Sequence, residues 1–195
     1  MSTAIIIQGV SSYIVEQKNA WAGFDIIWST WQGSEHLYDS NDNVIFNNNL
    51  VNPGIGNINL QAITTLAGIK EARRLNYINV LKWRSDLVPT NAPKLMELFK
   101  LNNLNFLAWH DIGKYFVDYF MFGNISDIES IWNIDVLEGL YAEQLLTNNI
   151  FKKGFKDFNF IANNLNNECD IIWKKYNINL SSYQQHIPTT YSVLL

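Results

Sequence analysis

The sequence is short of several residue types, and each shortage excludes a class of protein or site. It contains one cysteine, Cys169, which has no partner for an internal disulfide or for a zinc site made of cysteines. Its Lys and Arg residues form no stripe and the formal net charge is −4, so we expect no binding to nucleic acid. Its three histidines lack the His-x-x-x-His spacing of a zinc site, which disfavours a zinc hydrolase.

Long apolar runs are also scarce at the start of the chain. The first, residues 4–7, is far too short for a signal peptide or a membrane span, and we expect a cytoplasmic protein without a membrane span. What the chain does have is 195 residues with 48% hydrophobic content, rich in aromatic side chains. That is enough to bury a sizeable core, and no linker divides it. We therefore expect a single domain over residues 1–195.

Short apolar runs alternate with amphipathic segments, which predicts an α/β fold with a mostly parallel central sheet flanked by helices. Three strands should precede the first helix. The strands are predicted at residues 4–8, 24–28, 44–46, 77–82, 105–109, 119–122 and 170–176. Helices are predicted at residues 60–75 and 92–100, after a capping box of Ser126 and Glu129, and from a cap at Asp135 through to Phe151.

The triplet Arg84-Ser85-Asp86 directly follows a strand that the pattern predicts to be buried. In open α/β sheets, ligands bind beyond the carboxyl ends of the strands. A carboxylate there can hold Mg²⁺ or Mn²⁺, which neutralises charge on a departing diphosphate. Arg84 lies two residues before Asp86, so both should face the same side and could meet one diphosphate. The alternative is an ordinary ion pair between Arg84 and Asp86 at a strand end.

Several segments, taken in order, carry a resemblance to a known family. They are Ile5-Ile6-Ile7-Gln8-Gly9, Ile26-Ile27-Trp28-Ser29-Thr30-Trp31, Asn57-Ile58-Asn59-Leu60-Gln61, Thr64-Thr65-Leu66-Ala67-Gly68, Leu81-Lys82-Trp83-Arg84-Ser85-Asp86, Asp118-Tyr119-Phe120-Met121-Phe122-Gly123 and Glu143-Gln144. Across residues 4–150 the chain resembles the WavE-type lipopolysaccharide-synthesis family and related viral and bacterial glycosyltransferases of the GT-A-like, Rossmann-like kind.

The resemblance implies a nucleotide-sugar donor, UDP-linked by default, and a glycan acceptor. Residues up to about 90 would form the nucleotide-sugar half and those from about 91 the acceptor half. Arg84-Ser85-Asp86 stands where GT-A enzymes usually carry an Asp-x-Asp metal motif, so the first acid of that motif is missing. A second departure is Leu60, where a basic residue is expected between Asn59 and Gln61.

Residues near the predicted strand ends and helix starts are candidates to contact the donor. Gly9 lets the backbone approach a base or ribose, although a plain turn explains it equally. The side-chain amides at the start of the helix near residue 60 suit an anionic ligand, or Asn59 is simply an N-cap. The full set of candidate donor contacts is Gln8, Gly9, Ser29, Thr30, Asn59, Gln61, Lys82, Arg84 and Asp86.

Two acids are candidates for the catalytic base that takes the proton of the acceptor hydroxyl, Glu143 in first place and Asp118 in second. The alternative for each is a solvated helix acid or a loop cap. The resemblance also implies a late histidine as a further Mn²⁺ or Mg²⁺ ligand, for which His186 is the candidate, although an exposed histidine of the tail is the alternative. Acceptor contacts are predicted at Trp109, His110 and Asp111, and a ring such as that of Trp31 could stack on a sugar or base.

The sequence therefore predicts a metal-dependent glycosyltransferase, with two rival functions. A non-catalytic module that binds nucleotide sugars or carbohydrates on the same fold is favoured by the missing first acid. A nucleotidyltransferase would need a Gly-rich, basic phosphate loop after the first strand, and residues 10–13 are neither.

Overall fold

A computed structural model describes residues 2–48, 52–109, 115–134, 140–161, 165 and 168–181. The helices within them are α1 (Ile14–Ala20), α2 (Ile58–Arg74), α3 (Ala92–Glu97), α4 (Ile125–Trp132) and α5 (Ala142–Lys152). The strands are β1 (Thr3–Gln8), β2 (Asp25–Trp31), β3 (Asn43–Asn47), β4 (Asn79–Arg84), β5 (Leu87–Pro89), β6 (Leu104–Trp109), β7 (Tyr115–Asn124), β8 (Phe158–Phe160), β9 (Ile171–Trp173) and β10 (Ile178–Asn179).

The centre of the fold is a seven-stranded sheet in the order β3-β2-β1-β4-β7-β6-β8. The pairs β1–β2, β1–β4, β2–β3 and β6–β8 are parallel, whereas β7 is antiparallel to both of its neighbours. The predicted α/β fold with a mainly parallel central sheet is confirmed. Strand β1 lies inside the sheet with both faces covered, which is why it reads as an unbroken apolar run rather than an alternating one.

Two hydrophobic cores lie on opposite faces of this sheet. Ile6 of β1 belongs to the core covered by α2, α4 and α5, while Ile5 and Ile7 belong to the core covered by α3 and the segments around β5 and β9. The alternation of side chains along a strand places these neighbours on opposite faces. Both cores are rich in aromatic rings, including Trp132 in the first and Trp83 in the second.

A small antiparallel sheet in the order β10-β9-β5 attaches to the second face. Leu87 of β5 pairs with Trp173 of β9, so the chain that leaves Asp86 is held by a strand far away in sequence. Asp170 ties this sheet together: its side chain accepts hydrogen bonds from the backbone N–H groups of Ile171 at 2.7 Å and Ser181 at 3.0 Å. It also accepts the Ser181 hydroxyl, at 2.5 Å.

The structure corrects several predicted elements. Helix α1 lies between β1 and β2, so the expectation of three strands before the first helix is wrong. The predicted capping box is also wrong, because α4 begins at Ile125 and is capped by the side chain of Asn124, which accepts from the Ser126 N–H.

The helix predicted to run from Asp135 does not continue unbroken to Phe151. Helix α5 begins at Ala142, and Leu140 and Tyr141 are not helical. Asp135 itself lies outside the described residues. The last predicted strand, 170–176, is shorter in the structure, where β9 spans Ile171–Trp173 and belongs to the small sheet.

Candidate functional site

A cavity of about 400 Å³ opens at the carboxyl ends of β1 and β4. These strands are parallel neighbours, with Gln8 opposite Arg84, and the chain leaves β1 for β2 on one side while β4 lies on the other. A crevice at such a reversal of strand order is the usual ligand position in an open α/β sheet. We call it the switch-point cavity. Its lining residues are Gln8, Gly9, Val10, Ser12, Tyr13, Trp31, Gly56, Asn57, Leu60, Gln61, Thr64, Arg84, Ser85, Asp86 and Lys175.

The end of β1 forms one wall of the cavity. The side-chain oxygen of Gln8 accepts the Thr64 hydroxyl of α2 at 2.7 Å, and the Gln8 carbonyl accepts the Ser85 N–H at 3.0 Å. Gly9 has φ +122°, and a Cβ there would lie 3.0 Å from the Ser85 hydroxyl. Because a side chain would be strained and crowded at this point, the small residue keeps the wall close to any ligand in the cavity.

The end of β4 lies beside the end of β1 and carries an ion pair. Arg84 donates from Nε to Oδ1 of Asp86 at 3.0 Å and from Nη2 to Oδ2 at 2.7 Å, so the pair is bidentate. The indole N–H of Trp173 also donates to Oδ2, at 2.9 Å. The ion pair that the sequence offered as an alternative is therefore present, and both of its members line the switch-point cavity.

The surroundings of the pair fix the protonation states of both residues. Burial acts to raise the pKa of Asp86, but the hydrogen bonds and charge of Arg84 outweigh it, so the pKa is lowered. Burial acts to lower the pKa of Arg84, but the charges of Asp118 and Asp86 outweigh it and the pKa is raised. The guanidinium carbon also lies 4.9 Å from the ring centroid of Tyr119 and 5.5 Å from that of Trp173. Arg84 is thus held as a cation against two aromatic rings, which also pack on each other with their centroids 4.9 Å apart.

Lys82, which was predicted to contact the donor, lies two residues before Arg84 in β4, deeper in the sheet, and does not line the cavity. Its side chain is 0% exposed, donates to the backbone carbonyl of Asp118 and lies 4.6 Å from the Trp132 ring centroid. Burial lowers the pKa of Lys82 to about 7, with Asp118 opposing that change. The amine is a structural neighbour of the site rather than part of its surface.

The structure brings the two candidate acids into the electrostatic neighbourhood of Arg84 and Lys82. Burial and the nearby charge of Asp118 raise the pKa of Glu143, which projects from the first turn of α5. Asp118 is 3% exposed, and one of its oxygens lies 3.5 Å from Nη1 of Arg84. Neither acid lines the switch-point cavity. Glu143 is the more accessible of the two, being only half-buried.

The remaining predicted donor contacts divide into one cavity residue and three supporting residues. Gln61 lines the cavity, and its buried side-chain oxygen has no hydrogen-bond partner. Thr30 is buried and donates to the Gly9 carbonyl at 2.9 Å, and Ser29 accepts from the amide of Asn47 at 3.1 Å. Asn59 is buried and donates to the Asn52 carbonyl at 3.1 Å. These three residues shape the loops around the cavity without lining it.

Some cavity residues escaped prediction. Tyr13 and Asn57 both line the cavity and both adopt left-handed backbone conformations, with φ 58° and φ 62°. Such conformations are costly for residues other than glycine and cluster at functional sites. Asn57 belongs to one of the segments that carry the family resemblance, but nothing in the sequence indicated its left-handed backbone conformation. Lys175 follows β9, and only the fold brings it to the cavity.

The described residues do not fit a divalent metal. Both carboxylate oxygens of Asp86 already accept hydrogen bonds, and a cationic guanidinium lies against them. No group of three or more His, Cys, Asp or Glu side chains that could hold a metal occurs in the described part of the chain. His186, the other predicted ligand, lies outside the described residues, as do His110 and Asp111. Trp109 ends β6, and its side chain is not described.

A scan against protein-family models finds no match to the chain, and a search of curated proteins finds none either. Among the helices that the structure describes, none has the length and apolar character needed to cross a bilayer.

Proposed function

We propose that the chain is a glycosyltransferase of the GT-A-like kind, which moves a sugar such as a hexose from a nucleotide-sugar donor, UDP-linked by default, to a glycan acceptor. The observation that carries the proposal is the switch-point cavity, where Gln8 and Gly9 at the end of β1 lie beside Arg84 and Asp86 at the end of β4. Its volume of about 400 Å³ is within the range of small-molecule sites. The resemblance to the WavE-type family supports the same activity.

In this proposal the two walls divide the donor between them. The nucleoside lies against Gln8, Gly9 and Gln61, where the close backbone at Gly9 suits a base or ribose, and Trp31 offers a ring for stacking. The diphosphate lies toward Arg84, whose planar fork of N–H donors suits phosphate oxygens. The sugar then points past Arg84 toward the region of Asp118 and Glu143.

The transfer itself needs a base and a stabilised leaving group. The acceptor oxygen attacks the anomeric carbon, the bond from that carbon to the diphosphate oxygen breaks, and its electron pair leaves with the diphosphate. We assign Glu143 to the removal of the acceptor proton, because burial and the charge of Asp118 raise its pKa, which makes the carboxylate a stronger base, and its side chain is only half-buried. Asp118 is too deeply buried to meet an acceptor and instead holds Arg84 in place.

The sequence also predicted Mn²⁺ or Mg²⁺ at Asp86 and His186. Because Asp86 is tied to Arg84 and Trp173, no step of the proposed reaction passes through a metal ion.

The rival function is a non-catalytic module that binds nucleotide sugars or carbohydrates. One observation favours it: neither candidate base lines the switch-point cavity. A binding module would bind the donor with the same residues but would never release the nucleoside diphosphate.

A panel of nucleotide sugars tests the proposal through release of nucleoside diphosphate, with and without Mn²⁺. We expect one UDP-sugar to be turned over, and Glu143→Gln to slow turnover by about 100-fold or more while UDP affinity is retained, because a general base contributes about that much. Glu16→Gln, a change of the same kind at an exposed helix position, is the control and should leave the rate unchanged. Binding without any release, in every donor and acceptor mixture, would identify the binding module instead.

A further inference from the structure

We infer that the diphosphate is held by two protein cations, Arg84 and Lys175, and that Asp86 organises these cations instead of binding a metal ion. The inference rests on the proposed function, since it concerns the donor of the same cavity. It replaces the predicted metal by residues that the structure places at the switch-point cavity.

The first step concerns the carboxylate of Asp86. Oδ1 accepts from Arg84, and Oδ2 accepts from both Arg84 and Trp173. A divalent ion on this carboxylate would have to displace the guanidinium or lie directly beside it, and like charges in a partly buried site repel strongly. Among the described residues that line the cavity, Asp86 is moreover the single acid. The geometry is that of an aspartate that orients an arginine.

The second step concerns the donors that Arg84 keeps. A guanidinium has five N–H groups. Asp86 takes two of them, and Asp118 takes one across a longer distance of 3.5 Å, which leaves two. Since Arg84 lines the cavity and its side chain is 21% exposed, these remaining donors are available to phosphate oxygens. The rings of Tyr119 and Trp173 restrict the guanidinium, so little rotational freedom is lost on binding.

The third step explains how Lys175 reaches the cavity. The backbone carbonyl of Asp86 accepts the N–H of Lys174 at 2.9 Å, which fixes the turn after β9 against the end of β4. Lys175 is the next residue, is exposed, and lines the cavity. Asp86 thus positions one cation with its side chain and the other with its main chain. Together the two cations outweigh the single acid in the described part of the cavity lining, which favours an anionic ligand.

The experiment compares the affinities of UDP and UMP, measured by calorimetry in EDTA and in Mn²⁺. We expect UDP to bind with the same dissociation constant in both conditions, within about twofold. Lys175→Gln should weaken UDP binding by about tenfold through the loss of one charge-assisted contact, with a smaller effect on UMP. Lys175 is exposed, so this variant should fold. Arg84→Gln is less suitable as a test, because it leaves the partly buried carboxylate of Asp86 without its cationic partner. Lys156→Gln, at an exposed lysine away from the cavity lining, is the matched control.

Three results would overturn the inference, and they separate it from the proposed function. UDP binding that requires Mn²⁺, with the requirement lost in Asp86→Asn, would show a metal site and leave the donor proposal standing. Unchanged UDP affinity in Lys175→Gln would show that this lysine is not a phosphate contact. Failure of UDP, UMP and all tested nucleotide sugars to bind in either condition would remove the proposed function as well.

Discussion

Lys82 shows how far a single residue can depart from its appearance in sequence. It lies two residues before Arg84 and was predicted, like Arg84 and Asp86, to contact the donor, yet its side chain is 0% exposed. The strand pleat places both side chains on the same face, but depth along the strand separates the cavity from the interior. The amine is accommodated by the Asp118 carbonyl and the Trp132 ring.

This burial should make stability depend on pH. The pKa of Lys82 is about 7 in the folded protein and 10.5 without the fold, so between these values the unfolded state binds more protons. The free energy of unfolding should therefore rise with pH across this window. In Lys82→Met that rise should be smaller by up to a few kcal/mol, because the side chain no longer titrates. Urea unfolding at several pH values between 7 and 10 measures the difference.

Lys70→Met serves as the control for this prediction, because Lys70 is an exposed lysine of α2. It should leave the pH dependence of unfolding as it is in the unmodified protein. Parallel pH curves for the unmodified protein and Lys82→Met would contradict the assignment of a buried amine with a lowered pKa.

Some residues of the candidate site can be predicted from the sequence, and others cannot. Gln8, Gly9, Gln61, Arg84 and Asp86 were predicted because each lies at a strand end or near the start of a helix, and such positions can be read from local patterns. All five line the switch-point cavity. Trp173 and Lys175 were missed as site residues, because their place beside Asp86 depends on a pairing between distant strands. No local pattern encodes a contact between residues so far apart.

At the scale of elements, the contact between α2 and β1 supports one wall of the switch-point cavity. Gly68 of α2 packs so closely on β1 that a Cβ there would lie 2.3 Å from a methyl group of Ile6. Ile6 is itself fully buried, so neither partner has room to move away. The helix must therefore carry a residue without a side chain at this point.

Gly68→Ala should lower the free energy of unfolding by about 1–3 kcal/mol, because overpacking forces the helix away from the sheet. Chemical denaturation measures this change. Lys70→Ala, also an alanine substitution in α2 but at an exposed position, should stay within about 0.5 kcal/mol of the unmodified protein. A stabilised Gly68→Ala variant, as expected from helix propensity alone, would show that the close approach does not exist.

The elements differ in how well the sequence predicted them. Strand β1 and helix α2 were found with nearly the right bounds because one is a continuous apolar run and the other a long periodic one. Helix α1 was missed: it spans seven residues, too few for a clear period, and its buried face includes the polar residue Gln17. The side-chain N–H groups of Gln17 donate to the distant carbonyls of Ser85 and Leu87, and its side-chain oxygen accepts from the indole N–H of Trp21 at 3.1 Å.

At the scale of the whole molecule, the reversed direction of β7 matters for the site. Since β7 runs against β4, it begins where β4 ends, and Asp118 near its start reaches Arg84 at the end of β4. The parallel strands contribute their last residues to this edge of the sheet, and β7 contributes early ones. Sequence patterns predicted the strand but not its direction, because direction depends on which neighbours it pairs with.

The small sheet supports the site from the side of Asp86, and the side chain of Asp170 links its segments by hydrogen bonds. Asp170→Ala removes the acceptor of the Ile171 and Ser181 N–H groups, and we expect a loss of about 1–3 kcal/mol of local stability. Amide hydrogen exchange should then accelerate in β5 and β9. UDP affinity should fall as well, because Trp173 of β9 donates to Asp86 and Lys175, just after β9, lines the switch-point cavity.

Asp157→Ala, at an exposed aspartate outside the small sheet, is the control for the exchange experiment. It should leave the exchange rates of β5 and β9 unchanged. If Asp170→Ala accelerates exchange equally across the seven-stranded sheet, the small sheet is not a separate opening unit.

Cys169 directly precedes Asp170 and is 1% exposed, and burial raises the pKa of its thiol to about 11. With no second cysteine in the chain, any thiol reagent that modifies the protein has reacted there. In the closed state the group is both shielded and protonated, so alkylation must wait for the surrounding segment to open. The rate of Cys169 alkylation, followed by mass spectrometry, therefore reports how often this segment opens, and no probe has to be attached.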